Sequence, residues 1–530
     1  MSRSSLSTAE IFQQGVKHHR AGDLQQAEVH YRQVLASDPA HADSLHLLGT
    51  IALRAGRADL AIGYISSAIK RQPLTAQYHY NLGNAFLAED RLTKAEACYR
   101  EALRLKPDYV IAHNNLGNIL RDSGRLDEAE ACYRAALNLQ ADFPDAHNNL
   151  GSVFATLFRL PEAETCYREA LRLKPDYGDA HTNLGIVFSY LGDVAQAEAC
   201  HRAALAINPR DAEAHSNLAY ALCLAGRLDE AWPEYEWRWR TKLYSRHRRN
   251  FAQPLWNGEV IDNRVILLHA EQGFGDTLQF CRYVPLVAAT GARIVLEAPR
   301  PLARLLAGLP GIERFVKQGD PLPSFDYHCP LMSLPRAFGT TPGAIPAVIP
   351  YLRADAALAA YWRERLAGLG GLRVGLAWAG DPRPGSAWAN AIDRRRSITL
   401  GHFAPLAKVA GCSFISLQKG AASAQTASPP PGMEIHDWTG ELDDFADTAA
   451  LIETLDLVIC VDTAIVHLAG ALGRPVWLLN RFDTCWRWLL DREDSPWYPT
   501  LRQFRQPKPG DWDSVIAKVC EELCRAAALR

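Results

Sequence analysis

A 34-residue period runs through the first 240 residues of this 530-residue chain and constrains its fold more than any other feature. Gly15, Gly49, Gly83, Gly117, Gly151 and Gly185 are each 34 apart, and Ala219 takes the next slot. Ala27, Ala61, Ala95, Ala129, Ala163, Ala197 and Ala231 keep the same step. A period of that length marks helix-turn-helix units that bury their apolar faces only against neighbouring units. The small Gly and Ala slots let the two helices of a unit approach closely. Tyr31, Tyr99, Tyr133, Tyr167 and Tyr235 fill a larger socket, which Ile65 and His201 occupy in the other two units. Pro39, Pro73, Pro107, Pro175 and Pro209 stop the second helix, because proline lacks a donor and restricts the residue before it. Beyond Tyr244 the period vanishes, and apolar runs with Gly-rich turns alternate with helical stretches. The first half is therefore expected to be a recognition surface, with any chemistry in the second.

Composition excludes several classes. The formal net charge is -2, which leaves no basic surplus for nucleic acid. The start, MSRSSLSTAE, has no apolar h-region, and no apolar run approaches a membrane span, so a cytoplasmic protein without a transmembrane segment is expected. Cys98, Cys132, Cys166 and Cys200 are again 34 apart and read as one small, buried packing slot, while no C-x-x-C pair suggests zinc.

The seven units resemble the tetratricopeptide repeat and are expected to span 8–241. Asn81, Asn115, Asn149, Asn183 and Asn217 form a further column. Successive amides on one helical face would line a concave groove and offer a donor and an acceptor to an extended peptide. The column resembles the asparagine ladder of the eukaryotic protein O-GlcNAc transferases. The alternative is that these amides bond neighbouring helices and fix the superhelix. On either reading the repeats bind a protein acceptor or an assembly partner.

Residues 242–254 read as a linker. Six Lys or Arg fall between Arg238 and Arg249, interleaved with Trp237, Trp239 and Tyr244. Such a stretch fits a peripheral membrane or phosphate contact. It fits better a final helix whose aromatics dock on the next domain while its charges stay wet.

Apolar strands are expected at 264–270, 293–298 and 312–316, then at 373–380, 412–418, 457–462 and 475–480. Strand-helix alternation with continuous apolar strands implies parallel sheets covered on both faces. The helical 355–369 separates two such series, giving two Rossmann-like domains, 255–370 and 371–530, facing a cleft. Ligands of such sheets sit beyond the strand C-termini. That rule selects EQGFGD, the loop from WAG to RRRS, SLQKG and VDTAIVH.

VDTAIVHLAGALGRPVWLL and EQGFGDTLQF resemble the two signature regions of the heptosyltransferase-like glycosyltransferases of family nine, over roughly 255–506. HCPLMSLP, WAGDP, RRRSI and SPWYP resemble the bacterial subgroup in which such a domain follows tetratricopeptide repeats. The resemblance implies an all-α tetratricopeptide superhelix followed by an α/β GT-B fold. It also implies inverting, metal-independent sugar transfer, with no cofactor and a nucleotide-sugar as substrate. An insertion containing Pro384, Gly385 and Trp388 departs from the pattern.

The motifs suit that chemistry. Where the strand ends at Asp462 and a helix begins at Thr463 and Ala464, backbone N–H groups and the positive helix end would receive a diphosphate. His467 shares that face. Asp462 or Thr463 as a plain helix cap is the bland alternative. Arg394, Arg395 and Arg396 form a cationic run suited to a leaving diphosphate. By resemblance Arg396 faces the phosphate, with Arg395 beside it. Gln418 and Lys419 are placed to reach the base or ribose. Gln272, Gly273 and Gly275 form the acceptor-side loop, and Asp276 is the base implied by the resemblance, or an N-cap for a helix beginning at Thr277, or both. The expected function is a glycosyltransferase acting on an acceptor recruited by the repeats. The rival is a repeat scaffold whose transferase-like domain has lost turnover and serves docking or nucleotide sensing.

Overall fold

The computed structural model describes residues 6–383 and 387–529, so Pro384 and Gly385 of the insertion lie outside the described residues. The chain forms two compact units, 1–180 and 181–530.

The first unit is a series of helices from Thr8–Arg20 to Leu160–Leu173, alternately 13 and 14 residues long, joined by short turns. The periodic glycines are required by the tyrosines sixteen residues on. A Cβ at Gly83, Gly117 or Gly151 would come within 2.6, 2.6 and 2.8 Å of the rings of Tyr99, Tyr133 and Tyr167. Those buried phenols then find acceptors fifteen residues back. Tyr99 donates to Asn84 at 2.7 Å, Tyr133 to Asn118 at 2.7 Å and Tyr167 to Ser152 at 3.2 Å. The arginine of each turn ties its unit to the one before: Arg125 pairs with Glu128 and Glu96, and Arg159 with Glu162 and Glu130. The cysteine slot is less buried than expected. Only Cys166 is fully covered, Cys98 and Cys132 are half-buried, and all are free thiols.

The second unit begins within the helix Gly178–Leu191 and holds the last repeats, a short 3-10 turn Glu236–Arg240 and two parallel sheets. The first sheet contains β1 (Val265–His269), β2 (Arg293–Ala298), β3 (Ile312–Lys317) and β4 (Tyr327–Pro330), in the order β3-β2-β1-β4. The second contains β5 (Leu372–Ala377), β6 (Cys412–Ser416), β7 (Ile435–His436), β8 (Leu457–Val461), β9 (Val476–Asn480) and β10 (Leu501–Arg505). Its order is β10-β9-β8-β5-β6-β7. In each sheet β1→β2 or β8→β9 pairing is in direct parallel register, for example Leu268 with Leu296 and Val461 with Leu479.

The repeats do not stop at a linker. Leu218, Leu222, Ala231 and Trp232 share one core with Leu268, Leu278, Leu451 and Val466. Trp232 donates its indole N–H to the Thr340 carbonyl at 2.7 Å, and Tyr220 its hydroxyl to the Thr484 carbonyl at 2.9 Å. The last repeats thus bury part of their surface against the α/β region, and the compact unit that holds the sheets begins at 181. The junction is corrected. Trp237 stacks on His215 with centroids 3.9 Å apart, and Lys242, Arg246 and Arg248 stay exposed, but Arg238 is wholly buried. Its guanidinium meets Glu271 at 2.7 Å, Glu236 at 2.7 Å and Ser333 at 2.8 Å. Among the described residues no helix is long and apolar enough to cross a membrane.

Candidate functional site

A cavity of about 1390 Å³ opens beyond the C-terminal ends of the strands within the second unit. Two helices point their N-termini into it. β1 leads through Glu271 and Gln272 to the helix Phe274–Phe280, and β8 leads through Asp462 to the helix Ala464–Ala471. They meet at Gly275, where a Cβ would lie 2.7 Å from His467 Cδ2 and 3.7 Å from the Ala464 Cα. Glycine is demanded there by contact.

The first helix starts at Phe274, three residues before the expected Thr277. Asp276 is consequently not its N-cap but its third residue, and Oδ2 accepts the N–H of the capping Gly273 at 3.0 Å. Its Oδ1 forms an ion pair with Arg487, from the turn after β9. Gln272 donates to the Tyr235 hydroxyl at 3.0 Å. The side chain of the preceding Glu271 is buried, and that burial lifts its carboxyl to about 7 although Arg238 pulls the other way.

The second helix is capped by Thr463 in extended backbone, yet the side chain makes no capping bond. Its Oγ1 is buried without a protein partner. The first N–H groups of the helix likewise lack intrahelical acceptors. His467 is buried one turn in, with Nδ1 3.0 Å from the Tyr498 hydroxyl, and is held neutral by burial and then by Arg487, Arg282 and Arg396.

The arginine run falls at the end of a helix, Ala387–Arg396, where a loop was expected. Its three members consequently diverge. Arg396 lines the cavity, donates to the Asp462 carbonyl at 2.9 Å and pairs with buried Asp393 at 2.9 Å. Gly380 wraps this pair so closely that a Cβ would lie 2.2 Å from Asp393 Oδ1. Arg395 turns away from the lining, pairing with Asp483 at 3.1 Å and lying over the Tyr190 ring at 5.4 Å, and Arg394 is exposed. Arg395 thus braces the end of this helix against Asp483 and Tyr190.

Gln418 and Lys419 reach the lining, but their polar heads are engaged by the protein. Gln418 Oε1 accepts from the Trp378 and Ala379 N–H groups, both at 2.8 Å, and Nε2 donates to the Ala379 and Lys419 carbonyls at 3.0 and 2.8 Å. Lys419 Nζ donates to the Thr439 and Leu442 carbonyls at 2.7 and 2.9 Å. They lock neighbouring loops together, and direct readout of base or ribose would break those bonds.

The asparagine column bonds one unit to the next in the first half. Asn81 lies 2.6 Å from His46 Nε2, Asn115 donates to the Tyr80 hydroxyl at 3.1 Å, and Asn149 to buried Asn114 at 3.0 Å. Asn183 sits half-buried in the helix Gly178–Leu191, outside the lining, while Asn217 faces the cavity. Sequence reasoning missed this third wall, in which Ser189, Tyr190, Ser216, Asn217 and Tyr220 of the last repeats complete the cleft. It also missed Arg487, whose partners Gln279 and Asp276 lie more than 200 positions away. Among the described residues no group of three or more His, Cys, Asp or Glu is arranged to hold a metal ion.

Tetratricopeptide-repeat family models match residues 12–69, 46–110, 98–131, 117–157, 142–210 and 182–239. The model for glycosyltransferase family 9 (heptosyltransferase) matches 426–479, which contains β8, Thr463 and His467. Protein FlbA of Caulobacter vibrioides is 28% identical over 337 residues, covering 58% of this chain and 54% of FlbA, so the chain spans about half of that relative. Among solved structures, MamA is 25% identical with a TM-score of 0.29, covering 30% of this chain and 94% of its own. PilW, a type IV pilus biogenesis factor, is 21% identical with a TM-score of 0.37, covering 41% and 100%. The chain thus joins tetratricopeptide repeats to an α/β region that carries a glycosyltransferase family 9 match.

Proposed function

We propose that this protein transfers a sugar from a nucleotide-sugar to a hydroxyl of an acceptor protein held by the last repeats. The observation that carries the reading is Thr463 Oγ1, a buried hydroxyl without a partner at the N-terminus of a helix that faces Asp276. A donor diphosphate there would accept from the Thr463 hydroxyl and the N–H groups of Ala464 and Ile465, with the helix dipole and Arg396 beside it. The acceptor oxygen would attack the anomeric carbon while the bond to the diphosphate oxygen breaks. The bonding pair leaves with the nucleoside diphosphate, where Arg396 and the helix end offset the developing charge. The acceptor proton passes to Asp276, and attack from the face opposite the leaving group gives inversion. His467, neutral and stacked on Trp488, shapes the floor of the diphosphate site.

The last repeats support a protein acceptor, because their Tyr190, Ser216 and Asn217 line the same cavity as Asp276. Side-chain amides and hydroxyls in such a wall suit the backbone of an extended polypeptide. The test is binding of inorganic pyrophosphate to the full chain by calorimetry, in the wild type and in Thr463→Val. Saturable binding that weakens in the variant supports the donor site. Absence of binding to a folded wild type would remove it.

A further inference from the structure

Arg487 sits on the 3-10 turn Trp486–Trp488 after β9, and its guanidinium is used in three directions. Nε donates to Gln279 at 2.8 Å, Nη1 reaches Cys485 Sγ at 3.1 Å, and Nη2 pairs with Asp276 Oδ1. The side chain is buried, lines the cavity and has Asp276 as its carboxylate partner. The other oxygen of Asp276 accepts from Gly273, so both oxygens are engaged by protein groups.

The backbone beside Arg487 is strained. Leu489 has φ 56° and ψ 179°, a region that glycine alone adopts freely. Two side chains pin that segment from behind: Gln503 donates to the Trp488 carbonyl at 2.8 Å, and Arg505 donates to the Leu489 carbonyl. Trp488 in turn stacks on His467, with centroids 5.4 Å apart, in the first turn of the proposed phosphate-binding helix. The turn that carries Arg487 is therefore fixed between the two helix N-termini, one residue removed from the Gly275–Ala464 contact.

Building on the donor site proposed above, we propose that Arg487 exchanges partners. Paired with Asp276 it ties up that carboxylate, and a diphosphate arriving at the Thr463 helix draws the guanidinium away and leaves Asp276 free to accept the acceptor proton. A diphosphate carries more charge than one carboxylate and offers several acceptor oxygens to the same fork, which favours the exchange. Arg487 is on this account a positioning residue that makes the base available only when donor is bound.

Partner exchange has a signature in binding alone. If Arg487 is paired with Asp276 in about nine molecules in ten, pyrophosphate binds roughly tenfold more weakly than to a protein whose Arg487 is free. Asp276→Asn in the full chain is therefore expected to tighten inorganic pyrophosphate by about that factor. Removing a negative charge from the cleft would also tighten binding, so the cycle is completed in an Arg487→Gln background. There the same Asp276→Asn change is expected to give little gain. Equal gains in both backgrounds would reduce the effect to charge repulsion and overturn the exchange, and so would no gain in either.

Melting of each variant is recorded alongside. Should Arg487→Gln lose the fold, Arg487→Lys closes the same cycle, because a single ammonium cannot hold Gln279 and follow the phosphate at once. The gain must then fall to less than half of its wild-type size, or the exchange is refuted. Failure of the wild type to bind pyrophosphate at all would refute the donor site and the exchange together. Binding without an Asp276→Asn gain would refute the exchange alone.

Discussion

Thr463→Val should make this protein more stable and a worse binder at once. The threonine hydroxyl is buried with no protein partner, and stranding such a group costs about 1–3 kcal/mol. Valine keeps the branched shape in the same extended backbone and removes the stranded atom. No capping bond is lost, because the side chain makes none. Unfolding entropy is about 2.1 cal/mol/K per residue, so a body of about 350 residues gains roughly 0.7 kcal/mol per degree. The expected rise in the melting transition of the second unit is therefore about 1.5–4 °C. In binding the sign reverses. A hydrogen bond to a charged phosphate is worth about 1.5–3 kcal/mol, or roughly 10- to 150-fold in pyrophosphate affinity. Differential scanning fluorimetry and calorimetry on one preparation read both effects. A variant that melts lower while binding pyrophosphate as before would make Thr463 a helix terminus and nothing more, and would refute the reasoning.

Asp276→Asn keeps an acceptor for the Gly273 N–H but cannot take a proton, so sugar transfer is expected to fall by about 100-fold or more with the fold intact; initial rates beside circular dichroism check it. Asn149→Ala strands the buried Asn114 amide oxygen, and should lower the melting transition of the first unit at a cost of about 1–3 kcal/mol, read by circular dichroism. His201 occupies the tyrosine socket with neither ring nitrogen bonded, and burial pushes it from 6.5 down to about 4. The unfolded chain therefore takes up a proton that the folded chain refuses. Stability is full above pH about 6.5 and is lost as pH falls toward 4, by up to about 3 kcal/mol. His201→Phe should flatten that acid slope in urea melts taken between pH 7 and 4.5, and an unchanged slope would assign the loss to the other buried histidines, His46, His269 and His467 among them.

Much of this was legible from residue pattern, and the exceptions have physical causes. β1 and β8 lie within the expected runs because they are buried on both faces and so are almost continuously apolar, as in VILLH and LVICV. β4, β7 and β10 carry polar residues, and β7 spans only two residues, so neither apolar continuity nor length distinguished them. The cleft loops followed from one rule, that ligands gather beyond parallel strand ends. That rule brought Asp276, Arg396, Asp462, Thr463 and His467 together. It failed for Arg395, because adjacent residues on a helix face different ways and a loop was expected there. The packing of the last repeats against the α/β region was hidden because these units keep the repeat signature, and a few side chains such as Leu222, Tyr220 and Trp232 carry it. Nor could spacing foresee Ile186, which stands where Tyr99, Tyr133 and Tyr167 find acceptors and leaves His201 without one.

The most direct test of donor binding and transfer in this cleft is a thermal-shift titration of the full chain with UDP-, GDP-, CDP- and ADP-linked sugars. A ligand at one hundred times its dissociation constant adds about 2.7 kcal/mol, or roughly 4 °C for a body of this size. The account predicts that one nucleotide family raises the transition of the second unit by that amount in the wild type and by much less in Thr463→Val. A folded protein whose transition none of these sugars moves would contradict it.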